Sequence, residues 1–178
     1  PFTVSPEYGG NNINYCWGRD ASFQLAAFHS VANILPKAAK ILGKPMDSRW
    51  EDVSKRLPQY TVVDDVYYPE NQLKGQRIGL WKDKDLEGSH RHHSHLASIY
   101  PFCTIDPQDP NQFVILTNTL DNFLFKGPGN WMGWSFPWAS TIWSRVGNID
   151  AAIKWLHIWE DNMVNESRAS LAFSNLPT

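Results

Sequence analysis

The most chemically distinctive part of the sequence is residues 89–101, Ser-His-Arg-His-His-Ser-His-Leu-Ala-Ser-Ile-Tyr-Pro. This histidine segment holds four of the six histidines of the chain, with an arginine among them. Imidazole changes charge near neutral pH, and guanidinium is a fixed cation with a planar set of donors. Such crowded groups repel one another or lose solvation unless anions, sugar hydroxyls or a metal meet them. The segment is therefore predicted to bind a ligand of one of these three kinds.

A metal is the least favoured of the three ligands. The imidazoles at positions 90, 92, 93 and 95 cannot all converge on one point from a single regular element. The chain has no His-Glu-x-x-His pattern, and its two cysteines, Cys16 and Cys103, are too few for a cysteine cluster. We therefore expect no metal and no other cofactor.

Arg91 and His92 are the members of the histidine segment that we expect to contact a ligand. They immediately precede Ser94-His95-Leu96, which has the pattern of a helix start. The imidazoles of His90 and His95 are instead expected to pack against these two binding residues without contacting the ligand. That role suits imidazoles that pack or cap the start of a helix.

A second candidate for chemistry is Glu7, in the sequence Ser-Pro-Glu-Tyr-Gly-Gly. Pro6 stiffens the backbone before it, and the glycines at positions 9 and 10 allow another group to approach closely. If burial raises the pKa of this carboxyl group, Glu7 can act as a general acid. The alternative is a glutamate exposed in a surface turn.

A third candidate is the loop at residues 127–138, Gly-Pro-Gly-Asn-Trp-Met-Gly-Trp-Ser-Phe-Pro-Trp. Indole faces stack on the apolar C–H faces of sugars, and an asparagine can bind their hydroxyl groups. We expect Asn130 and Trp134, together with Trp81, to line the wall of a carbohydrate site. A helix junction packed with aromatic rings is the alternative.

The elements that would position these residues are mostly helical. Apolar periodicity predicts helices over 21–42, 49–57, 111–125, 135–146 and 149–163, and short strands over 61–63 and 77–81. Residues 1–19 are predicted to be a structured loop. Asp20 is predicted to cap the first helix, and Ser48 with Glu51 to form a capping box on the second. Pro36 should kink or split the first helix.

Tight turns and long loops alternate between the predicted helices. A plain bundle would have short loops at both ends, whereas a curved α/α layer or toroid gathers its long loops at one end and builds a site there. The pattern therefore favours an all-α fold of the toroid type.

Composition excludes several classes of partner. A net charge of −2 over 178 residues gives no basic surface for nucleic acid. No apolar run approaches the roughly 18 residues of a membrane span. The length suits a single region, 1–178. Because the sequence opens with Pro-Phe-Thr rather than methionine, we interpret it as part of a longer protein.

Taken in order, the candidate segments resemble glycoside hydrolase family 95, the inverting α-L-fucosidase and α-L-galactosidase group. The similar motifs are Ser5-Pro6-Glu7, then His90-Arg91-His92-x-Ser94-His95-Leu96 with Tyr100-Pro101, then Gly133-Trp134-Ser135 followed by Trp138. The resemblance implies a six-hairpin (α/α)6 barrel, of which this chain would be the second half. It also implies that the protein is secreted or periplasmic.

The resemblance implies roles for three residues. Glu7 matches the general acid of the family, and Arg91 and His92 match residues that hold the sugar. The asparagines that take part in activating water would lie upstream, in the missing half of the barrel. The substrate implied is a terminal α-L-fucose, L-galactose or related sugar of a glycan.

One departure from the family pattern leaves other functions open. Family members often carry a Gly-Asp-Gly-Gly segment before Gly-Trp-Ser, whereas this chain has Gly-Pro-Gly-Asn at 127–130. One alternative is a polysaccharide lyase of the α/α-toroid type, with Tyr8, Tyr15 or Tyr100 as its base. Another is a glycan-binding module without catalytic activity.

Overall fold

The computed structural model describes residues 17–64 and 75–165, together with the backbone of residues 2–4. The helices of this part are α1 (Ser22–Ile41), α2 (Arg49–Arg56), α3 (Pro110–Lys126), α4 (Ser135–Arg145) and α5 (Ile149–Met163). The strands are β1 (Phe2–Val4), β2 (Trp17–Arg19), β3 (Val62–Val63) and β4 (Arg77–Ile78). A 3₁₀ turn spans Ser94–Leu96, where a helix start was predicted. The predicted all-α class is confirmed, because the strands are few and short.

Helices α3 and α5 begin at side chains that satisfy free backbone N–H groups. Asp109 caps α3 by accepting a hydrogen bond of 2.9 Å from the N–H group of Asn111. Asn148 caps α5 in the same way, at 3.0 Å from the N–H group of Ala151. Gly147 precedes that cap with a φ of 84°, in the left-handed region that glycine favours. The short connection lets α4 and α5 pack on each other along their length.

The predicted starts of α1 and α2 are wrong in detail. Asp20 adopts a φ of 54°, and the N-cap of α1 is Ala21, which has no side chain for capping. Ser48 has a helical backbone and makes no side-chain cap. Instead, Asp47 accepts a hydrogen bond of 3.0 Å from the N–H group of Arg49. The helix α1 also continues through Pro36 rather than splitting there.

The two predicted strands are confirmed as an antiparallel pair, with Val62 opposite Ile78 and Val63 opposite Arg77. A second pair, β1 with β2, was not predicted, because residues 1–19 were interpreted as a loop. Phe2 lies opposite Arg19, so β1 and β2 form a small antiparallel sheet. The candidate acid Glu7 belongs to the sequence between these two strands and lies outside the described residues.

The hydrophobic core joins the segments on either side of the histidine segment to α3, α4 and α5. Its larger members are Ile78, Leu80, Trp81, Leu86, Leu96, Ile99, Ile105, Leu116, Leu120, Phe123, Trp131, Phe136, Ile142, Trp143 and Met163. The 3₁₀ turn therefore lies inside the packed structure, whereas residues 89–92 before it are only partly buried. In the described part of the chain, no helix is both long and apolar enough to cross a bilayer.

Candidate functional site

The segment that leads into the histidines is anchored by a buried ion pair. The side chains of Arg77, in β4, and Asp85 are 1% and 3% exposed, and Nη2 of the arginine lies 2.8 Å from Oδ2 of the carboxylate. The other carboxylate oxygen accepts a hydrogen bond of 2.8 Å from the N–H group of Leu86. Asn122 of α3 donates to the Leu86 carbonyl oxygen at 3.2 Å. These bonds fix the chain shortly before the first histidine.

Ser89 ties the beginning of the histidine segment to the loop that follows α3. Its hydroxyl donates to the carbonyl oxygen of Gly127 at 2.7 Å and accepts from the N–H group of Asn130 at 2.9 Å. The side-chain amide of Asn130 also donates to the Ser89 carbonyl oxygen, at 3.2 Å. Asn130 therefore holds the loop in place. Its predicted contact with a sugar stays a prediction.

Ser135, the first residue of α4, ties the middle of the histidine segment to the third candidate loop. Its hydroxyl donates to the carbonyl oxygen of Arg91 at 2.7 Å and accepts from the N–H group of Met132 at 3.0 Å. Nε2 of His93 lies 2.9 Å from the carbonyl oxygen of Ser135. Because a carbonyl oxygen can only accept, His93 must carry its proton on Nε2.

His93 and His95 form the buried side of the segment, at 0% and 2% exposure. The ring of His93 meets Phe123 edge-on, with 4.8 Å between ring centroids, and packs against Trp131 at 4.7 Å. Burial lowers the pKa of His93 to about 4 and that of His95 to about 3. Both imidazoles are therefore neutral near pH 7.

The residues predicted to bind the ligand lie on the more open side of the segment. Arg91, His92 and His90 are partly exposed, and Trp134 is 42% exposed. The rings of His92 and Trp134 lie 5.9 Å apart between centroids, and those of His90 and His92 lie 5.5 Å apart. Nδ1 of His90 accepts a hydrogen bond of 3.1 Å from the N–H group of His92. That bond orients His90 next to the residue that it was predicted to support.

A narrow crevice, too small to admit a water molecule, lies beside this row of rings. Its lining includes four imidazoles, those of His90, His92, His93 and His95, and the side chain of Lys126 from the end of α3. The lining also includes the indole ring of Trp131. The fold therefore brings the histidine segment and the third candidate loop together at one place.

Among the described residues that were predicted for the site, Trp81 does not fall into this arrangement. Trp81 is only 8% exposed and belongs to the hydrophobic core. A Cβ atom on Gly18 would lie 2.2 Å from Cγ of its ring, so strand β2 runs directly against the indole. This burial favours a packing role, and the predicted wall role of Trp81 stays a prediction. Glu7 lies outside the described residues, so its position relative to Arg91 is also still a prediction.

Sequence reasoning missed His93, Ser89 and Ser135. A signal for Ser135 was available, because a serine at the start of a predicted helix commonly satisfies backbone groups there. No such signal marked His93, which differs from His92 only by one position along the chain.

The arrangement offers hydrogen-bond donors, partly exposed imidazoles and an exposed indole face, which are groups that recognise sugars. Among residues 17–64 and 75–165, no three His, Cys, Asp or Glu side chains are grouped as a metal site would require. The fold and the site thus define a helical protein whose loops gather polar and aromatic groups at one place, as carbohydrate-active domains do.

Comparison with known proteins identifies the family. The model of the glycosyl hydrolase family 95 catalytic domain matches residues 2–177, so the chain belongs to this family, whose catalytic domain is an α/α barrel. The chain is also similar to "Alpha-L-fucosidase 2" of Arabidopsis thaliana, with 28% identity over 145 residues. That match covers 79% of this chain and 16% of the plant protein. The chain thus spans a small part of the length of this curated relative.

Proposed function

We propose that the protein is a glycoside hydrolase that removes a terminal sugar, α-L-fucose, L-galactose or a related residue, from a glycan with inversion. Family membership supports the hydrolase class, and the α-L-fucosidase name of the plant relative supports an L-fucose-like sugar. The observation that carries the proposal is the joining of the histidine segment to the start of α4. His92 lies beside the exposed ring of Trp134, and the backbone of Arg91 is bonded to Ser135, the next residue along the chain.

Arg91 and His92 are proposed to hold the sugar. A guanidinium group offers several donors in a fixed plane, and an imidazole can donate to one hydroxyl group or accept from another. The indole face of Trp134 offers a surface for the apolar side of the ring. Together these groups distinguish the orientation of hydroxyl groups around a monosaccharide, which is the basis of selectivity for one sugar.

Glu7 is proposed to be the general acid. In an inverting hydrolase one carboxylic acid protonates the leaving oxygen, while a base on the opposite face activates water. The asparagines that assist water activation are proposed to lie in a segment upstream of this chain. The supporting argument for Glu7 is its match to the Ser-Pro-Glu motif of the family.

This chain is further proposed to be the second half of the barrel. Helix α1 exposes large apolar side chains, among them Ile34 at 57% and Ile41 at 83%. Helix α3 exposes Phe113 at 62% and Val114 at 66%. Apolar surface of this extent is normally covered by another element, and the remaining helices of a barrel would cover it.

The test is an assay of the complete protein on aryl α-L-fucoside, L-galactoside and L-rhamnoside, with Glu7→Gln as the variant. On a substrate with a poor leaving group, the loss of a positioned acid should lower kcat by about 10²–10⁴-fold. On a substrate whose leaving group needs no proton, the same variant should retain most of its activity. NMR of the first-formed product should show the inverted anomer.

Other results would assign a different function. A loss of only a few-fold on the poor leaving group would exclude Glu7 as the acid. No turnover of the glycosides, together with an unsaturated, ultraviolet-absorbing sugar formed from a polysaccharide of uronic acids, would indicate a lyase. Binding without turnover on all three glycosides would indicate a glycan-binding module.

A further inference from the structure

Ser135 has no role in the mechanism above, yet two of its hydrogen bonds join the two parts of the site and a third holds Met132 of its own loop. Its side chain is fully buried at the first position of α4. Its hydroxyl group donates to the carbonyl oxygen of Arg91 and accepts from the N–H group of Met132. Its backbone carbonyl oxygen accepts a hydrogen bond from Nε2 of His93. The serine is therefore bonded on both sides of His92.

We propose that Ser135 is the positioning residue that sets the register of Arg91 and His92 against Trp134. The proposal rests on the proposed function, because it assigns these residues to the sugar. Ser135 itself does not reach the ligand. Its effect is transmitted through the backbone that it holds.

The bonds of Ser135 fix this register without help from the exposed side chains. Trp134 immediately precedes Ser135, so a bond from Ser135 to the Arg91 backbone also sets the distance between the two ligand-facing residues. His93 fixes the other side of His92, because its buried ring donates from Nε2 to the carbonyl oxygen of Ser135. Loss of the hydroxyl group would leave two partly buried backbone groups, the Arg91 carbonyl and the Met132 N–H, without this partner, and the segment would shift to satisfy them.

The chain contains a matched control in Ser22. This serine is also fully buried at the first position of a helix, α1. Its hydroxyl donates to the carbonyl oxygen of Gly79 at 2.7 Å and accepts from the N–H group of Thr61 at 3.1 Å. The two serines thus make the same kinds of bond at nearly the same lengths. Only Ser135 bonds to the histidine segment.

The experiment compares Ser135→Ala with Ser22→Ala in the complete protein. For Ser135→Ala we expect KM to rise about tenfold and kcat/KM to fall about 10- to 100-fold, because a displacement near 1 Å can cost about 10² in rate. Ser22→Ala should lower the unfolding midpoint by about as much as Ser135→Ala does, but it should leave KM unchanged. Ser135→Cys retains a donor and an acceptor of similar size, so it should recover part of the lost kcat/KM.

Hydrogen exchange of the peptide covering 89–96 provides a readout that does not depend on activity. Exchange should increase in this peptide for Ser135→Ala, while Ser22→Ala should increase it only near residues 61 and 79. Unchanged exchange at 89–96, or equal effects of the two alanine variants on KM, would overturn the proposal. If the wild-type protein cleaves no glycoside, the proposed function fails, and the exchange pattern still decides whether Ser135 holds the segment. If Ser135→Ala does not fold, Ser135→Cys and its exchange pattern serve as the test.

Discussion

The buried ion pair between Arg77 and Asp85 leads to a quantitative prediction about the segment before the histidines. Removing one partner of a buried pair costs about 3–5 kcal/mol, because the other charge stays buried without it. Asp85→Ala also removes the acceptor of the Leu86 N–H group, which adds about 1 kcal/mol. We therefore expect Asp85→Ala to destabilise the segment by at least about 4 kcal/mol.

Native-state hydrogen exchange of the complete protein measures this change locally. Since every 1.4 kcal/mol is a factor of ten, about 4 kcal/mol should increase exchange through opening of peptide 77–86 by about a thousandfold. The matched control is Glu87→Ala. Its carboxylate lies 2.6 Å from Nζ of Lys84, but the two side chains are 62% and 36% exposed. A solvent-exposed pair of this kind contributes only about 0–1 kcal/mol.

A double variant separates the buried charge from the loss of packing. Arg77→Met with Asp85→Leu leaves neither charge in the core, so it should recover most of the stability that Asp85→Ala loses. If Asp85→Ala accelerates exchange no more than Glu87→Ala does, the buried ion pair does not stabilise the segment as expected. If the double variant is as unstable as Asp85→Ala, the buried unpaired charge is not the cause of the loss.

Two further predictions concern the histidines and strand β2. Because the pKa values of His93 and His95 are about 4 and about 3 in the folded protein, the unfolded chain binds protons below pH 6.5 that the folded protein does not. The contribution of these two neutral histidines to the free energy of unfolding should be complete above about pH 7 and fall by about 1.4 kcal/mol per pH unit per histidine toward pH 4. Urea midpoints measured from pH 7 to 4.5 test this, with His157→Gln, on the exposed face of α5, as the control. A urea midpoint that does not change with pH would contradict it. Gly18→Ala should lower the urea midpoint by an amount equivalent to about 1–3 kcal/mol, because its added carbon would overlap the ring of Trp81. Gly88→Ala, whose added carbon meets nothing within 4 Å, should change the midpoint by less than about 0.5 kcal/mol, and equal midpoints for the two variants would show that the contact at Gly18 is not tight.

The helices could be predicted from the sequence because their signals are local. The apolar periodicity of α3 and α5 lies between turn residues, and the observed bounds differ from the prediction by no more than a residue at each end. The cap of α1 was predicted wrongly because the N-cap is Ala21, one residue after Asp20, and the cap of α2 because neighbouring polar residues compete there. At α2, Asp47 binds both the N–H group and the guanidinium of Arg49, which Ser48 cannot do.

The part of the site that could be predicted was the identity of its segments. The density of histidines in one and of tryptophans in the other indicated ligand binding, and the fold brings the two together. What could not be predicted was which imidazoles turn inward, since that depends on contacts with Phe123 and Trp131, distant in sequence. The ties through Ser89 and Ser135 also connect residues about 40 positions apart, which no local pattern reveals.

Glu7 is proposed to act on the same sugar that Arg91 and His92 are proposed to hold. A crystal structure of the complete protein bound to a non-hydrolysable L-fucose analogue tests this directly. We expect the guanidinium and imidazole groups to contact the hydroxyl groups of the ring, with the carboxyl group of Glu7 in hydrogen-bond reach of the glycosidic oxygen position. A Glu7 carboxyl group farther from Arg91 than one monosaccharide can bridge would contradict it.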